Sequence, residues 1–163
     1  MTAATLTKPK DRTPVGIGQA ALAAEPVFLT TILGSCIAVT LYSPRLRLGM
    51  LSHVLLPHST GPTAYPAKFA DTVVPHMLSI LLSHGARPEG LVAKVAGGAC
   101  MFGNCKTMQI GESNVQVALA ALADAGIRVV GQHIGGSLGR RVAFDLANGN
   151  LSVECIGQPA QTI

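Results

Sequence analysis

From residue 15 onward, short apolar runs alternate with turn-forming residues, and the period of each run sets the element it predicts. Residues 15–23 and 27–33 read as strands parted by Glu25 and Pro26. Residues 37–42 and 49–56 are two more such runs, and the Ser43, Pro44, Arg45 stretch between them predicts a hairpin. A stretch rich in turn formers follows, at 58–66. Apolar residues then recur at Phe69, Val73, Met77, Ile80 and Leu81, the spacing of one helical face. This predicts a helix within 67–84, kinked or begun at Pro75 and stopped by Gly85. Residues 91–96 read as a buried strand that ends at Gly97 and Gly98. Ser113 has the position of an N-cap for a helix running to Ala125, with Val115, Leu119 and Leu122 inward. Residues 127–130 predict another strand, and 142–146 and 151–156 flank Asn148-Gly149, a strong hairpin signal. Residues 1–13 show no periodicity and read as a flexible tail, leaving 14–163 as a single domain. Two main helices against many short strands predict an α+β layered sandwich whose strands are mostly antiparallel or mixed.

Composition narrows the picture. At 163 residues, 48% hydrophobic and 12% charged, the chain can bury a full core without disulfides or metals. The net charge of +4 permits nucleic acid, but with no Trp, two Tyr and four Phe there are few platforms for stacking bases. An acidic protein partner accounts for the charge at least as well. No apolar run approaches the ~20 residues of a membrane span, and no signal peptide is visible, so a cytoplasmic location is expected. There the four cysteines are expected to be free thiols. Cys100 and Cys105 stand as one pair without the second pair that a zinc site requires, so no metal is expected. Gly135, Gly136 and Gly139 suit a turn better than a phosphate loop, so no cofactor is expected either. Nothing demands more than a monomer.

The chemistry gathers at Cys36. Gly34 and Ser35 let the chain turn tightly before it, leaving the thiol at an element's edge beside free amides suited to an oxyanion. With the hairpin turn centred on Pro44 and Arg45, Cys36 lies directly opposite His53, close enough for a thiol–imidazole contact. A slip of one residue would send the two to opposite faces. Thr30, at the end of the preceding strand, is the candidate to hold the imidazole. Buried structural roles for a lone Cys and a lone His remain the competing reading.

The run Leu33-Gly34-Ser35-Cys36 with Gly49-Met50-Leu51-Ser52-His53 resembles the signature of the chemoreceptor glutamine deamidases, the CheD family of bacterial chemotaxis. The likeness continues through Lys68 to Thr72, Ala93 to Ala99 with Met101 and Phe102, Ile110 to Val115, Gly135 to Arg140, Phe144, Asp145 and Gly149. It implies a layered fold like that of deamidating toxins, with Cys36 as nucleophile, His53 as base and Thr30 as the residue orienting the ring. The implied substrate is a glutamine side chain on the cytoplasmic helices of a methyl-accepting chemoreceptor, converted to glutamate through a thioester. The implied second partner is a CheC-type chemotaxis phosphatase, and a binding module regulating that phosphatase is the alternative function. A different cysteine hydrolase, such as a receptor methylesterase, is a further rival. Two positions depart from the pattern: His133 stands where an acidic residue is expected, and Pro75 interrupts a helix.

Overall fold

The computed structural model describes residues 11–102 and 109–163. The described residues form ten strands in two five-stranded sheets, with two α-helices. The first sheet has the order β1-β3-β8-β9-β10, from Arg12–Pro14, Phe28–Leu33, Arg140–Asp145, Leu151–Cys155 and Gln161–Thr162. The second has the order β2-β5-β4-β6-β7, from Ala20–Ala24, Leu48–Val54, Ile37–Ser43, Val92–Gly97 and Arg128–Ile134. Pairings β1–β3 and β6–β7 are parallel and the others antiparallel, giving the expected α+β layered architecture.

Strand β4 shows why there are three layers. It is buried along its whole length, and successive side chains point to opposite faces. Ile37, Val39 and Leu41 join Met50 and Val54 of β5 in a core against the helices α1 (Ala70–Ser83) and α2 (Ile110–Asp124). Cys36, Ala38 and Tyr42 join Leu51 in a second core against Leu29, Leu33, Val142, Phe144 and Val153 of the other sheet. The second sheet is therefore the middle layer, and Cys36 immediately precedes the strand that faces both cores.

Several boundaries differ from the sequence reading. Arg12–Pro14 is a strand paired with Phe28, Leu29 and Thr30, so order begins before residue 14; residues 1–10 of the expected tail lie outside the described residues. Helix α1 runs unbroken through Pro75, held by the buried face of Val73, Val74, Met77 and Leu81, and it starts at Ala70 after a 3-10 turn at Pro66–Lys68. Helix α2 starts at Ile110, with Gln109 as its N-cap, so Ser113 lies inside its first turn. Gly111 explains the early start: a Cβ there would stand 2.7 Å from the main chain of Gly98, so only glycine lets the helix come this close to the end of β6. Cys100 is disulfide-bonded, while Cys36 and Cys155 are free, which corrects the expectation of four free thiols. No helix among the described residues is long and apolar enough to cross a membrane.

Candidate active site

The β4–β5 hairpin sets the relation of Cys36 to His53. Its connection is the four-residue turn 44–47, with Arg47 at φ 48°, rather than a two-residue turn. His53 therefore pairs with Ala38, and Cys36 sits two residues before it, just ahead of β4. Directly opposed pairing is corrected to a diagonal one. Because the displacement is an even number, both side chains still face the core between the sheets. Diagonal neighbours remain within reach of a long side chain such as histidine.

The His53 main chain is fixed from the β1–β2 connection: its N–H donates to the Gln19 carbonyl at 2.9 Å, and its carbonyl accepts from Gly18 at 2.8 Å. The ring is held from the other sheet. Its Nδ1 lies 2.7 Å from the hydroxyl oxygen of Thr31, and that hydroxyl donates to the Val15 carbonyl at 2.7 Å. Thr31, and not Thr30, is thus the threonine on the imidazole. Side chains alternate along β3, where Leu29, Thr31 and Leu33 are buried toward the second sheet and Thr30 belongs to the other face.

A hydroxyl has one proton. With that proton on the Val15 carbonyl, the Thr31 oxygen can only accept, so Nδ1 of His53 is the protonated ring nitrogen. The lone pair of the neutral ring then sits on Nε2, the nitrogen a base needs free. Burial pushes the His53 pKa down, opposed by the neighbouring Val15 carbonyl. Burial likewise pushes the Cys36 thiol up, opposed by its own main-chain N–H turned toward the sulfur. With Cys36 8% exposed and His53 4% exposed, burial favours the neutral form of each.

The Cys36 turn is fastened by its carbonyls. Gly34 accepts from the Ala99 N–H and Cys36 from the Gly98 N–H, both at 3.0 Å. The Ser35 carbonyl accepts from Nδ2 of Asn114 at 3.4 Å. Gly97, at φ 108°, lies so close that a Cβ would stand 2.4 Å from the Cys36 carbonyl oxygen.

Residues 55–155 match the family model described as CheD chemotactic sensory transduction. The chain is 40% identical over 155 residues to a probable chemoreceptor glutamine deamidase CheD of Desulforamulus reducens, covering 91% of this chain and 93% of the relative. It is 40% identical over 144 residues to the chemoreceptor glutamine deamidase CheD of Thermotoga maritima, covering 88% of this chain and 91% of that protein. The chain belongs to the CheD family. Among solved structures, this CheD chain matches the Bacillus licheniformis hypothetical protein YfiH at a TM-score of 0.47 and 14% identity, over 72% of this chain and 49% of that one.

His133, where the sequence pattern led us to expect an acidic residue, sits against Arg140. Its Nδ1 lies 2.8 Å from the Arg140 guanidinium, which also donates to the His133 carbonyl at 2.7 Å and to the Gly135 carbonyl. A guanidinium only donates, so His133 accepts through Nδ1. Arg140, 3% exposed, holds the 135–139 turn in place. Among the described residues no group of three or more His, Cys, Asp and Glu side chains could hold a metal ion.

Two residues of the site escaped the sequence reading. Thr31 was legible in principle, as the polar member of the period-two set Leu29, Thr31, Leu33. Asn114 lies within the motif carrying the family resemblance, but only the packing of α2 against β6 brings it to the thiol's turn.

Proposed function

We propose that this protein deamidates glutamine side chains of chemoreceptors, with Cys36 as nucleophile, His53 as general base and Thr31 as the residue that fixes the ring. The observation that carries this reading is the Val15–Thr31–His53 hydrogen-bond chain, which leaves Nε2 unprotonated on the face of the sheet that bears the thiol. Nε2 takes the thiol proton as sulfur attacks the side-chain amide carbon. The oxyanion that forms is met by the Cys36 N–H. Collapse breaks the C–N bond, and the imidazolium returns its proton to the departing ammonia. Water, deprotonated by the same nitrogen, then cleaves the thioester and restores the thiol. The net change is glutamine and water to glutamate and ammonia, and it adds a negative charge to the receptor.

The receptor as substrate is supported by the names of the two relatives, both chemoreceptor glutamine deamidases, and a cytoplasmic monomer fits this role. The burial that raises the Cys36 thiol favours one second reading, a binding module that regulates a CheC-type phosphatase with its thiol idle. Intact-mass analysis of a receptor cytoplasmic fragment separates the two. Deamidation adds about one mass unit per site, whereas a methylesterase removes about fourteen. A gain with the wild type and none with Cys36→Ala is the expected result. No change with either protein favours the binding module.

A further inference from the structure

Asn114 is completely buried, yet it is polar. Its Nδ2 donates to two main-chain carbonyls, Ser35 at 3.4 Å and Leu55 at 3.2 Å. These two acceptors fix the amide's orientation, because an oxygen in that place would face two carbonyl oxygens. Its Oδ1 is then left buried with no partner among the described residues. An apolar side chain would avoid that penalty, so the donors of Asn114 serve something other than packing.

The peptide group explains what they serve. The Ser35 carbonyl and the Cys36 N–H belong to one planar, trans peptide unit, so they point in opposite directions. Whatever holds the carbonyl aims the N–H. The carbonyls on either side, of Gly34 and Cys36, are held by main-chain donors of Ala99 and Gly98. The middle one alone depends on a side chain. Through Leu55 the same carboxamide ties this turn to the chain leaving β5, the strand that carries His53.

We propose that Asn114 is a positioning residue for the oxyanion donor: by holding the Ser35 carbonyl it aims the Cys36 N–H at the oxygen of the reacting amide. This rests on Cys36 being the nucleophile. Close approach of Gly111 to Gly98 seats the N-terminal turn of α2 against the exit of β6, and Asn114 lies one turn further along the helix.

The test compares wild type, Asn114→Ala, Asn114→Ser and Cys36→Ala by steady-state ammonia release from a receptor fragment and by alkylation of Cys36 with iodoacetamide across pH. Alkylation displaces iodide and forms no oxyanion. For Asn114→Ala the expected result is a kcat lower by ~100-fold with KM within about twofold. Its alkylation profile moves to higher pH, because the thiolate loses the aimed N–H, while the plateau rate stays within about threefold of wild type. Asn114→Ser, with one shorter donor, falls between. Folded variants with wild-type kcat overturn the proposal, as do kcat and alkylation plateau falling together, or loss of the fold in both variants, which assigns Asn114 to stability alone. Deamidation by Cys36→Ala at the wild-type rate is a different failure, because it removes the nucleophile itself.

Discussion

The Thr31 hydroxyl spends its only proton on the Val15 carbonyl, so replacing it removes the acceptor that selects the His53 tautomer. Thr31→Val is expected to lower kcat by roughly 100-fold, while Thr30→Val leaves it within about threefold, by ammonia release under saturating receptor. The pH profile follows from the same burial. His53 must be neutral to act as base, and its pKa lies below the ordinary histidine value of about 6.5. The acid limb of kcat/KM should therefore fall below that pH and disappear in no Thr30 variant. The linkage has a definite sign. Between the lowered folded pKa and the unfolded value of about 6.5, the unfolded chain binds a proton at His53 that the folded chain refuses, so stability drops as pH falls through this window. Urea melts from pH 7.5 down to 5 should show the loss, and His53→Gln should flatten it. The sequence pointed to Cys36 and His53 through their motif, but choosing between two adjacent threonines needed the face of β3, which Leu29 and Leu33 already marked.

At the scale of elements, the hairpin shows what a sequence can and cannot fix. Alternating apolar residues located both strands to within two residues at each end, but the turn between them was placed one residue early. A turn of four residues moves the pairing by two positions and keeps every side chain on its face, so Cys36 and His53 share a face although they are not directly opposed. Strand β1 has three residues and β10 has two, too few to carry a period. The β7–β8 connection carries a different prediction. Arg140 is buried beside His133, where an acidic residue was expected. His133→Asp should give the guanidinium a charged acceptor and raise stability by ~1–3 kcal/mol, read as a midpoint shift in urea. A lower midpoint would mean that the pocket is shaped for the imidazole ring.

For the molecule as a whole, the site is a joint product of two sheets: His53 comes from the middle layer, Thr31 from the outer one, and Val15 from the chain passing between β1 and β2. Phe144, fully buried and edge-on to Tyr42 at 5.8 Å between ring centroids, is a central contact between those sheets. Phe144→Ala should cost about 3–5 kcal/mol, a fall in Tm on the order of 10 °C by circular dichroism. The layered class was legible because helical and strand periods were both clear, whereas the order of strands depends on contacts far apart in the chain. The Val15 carbonyl at the end of the relay has a genetic consequence. A main-chain oxygen is encoded by every codon, so no single missense change at position 15 deletes it. A saturation library should tolerate other apolar residues at 15 and, at 31, accept little beyond serine.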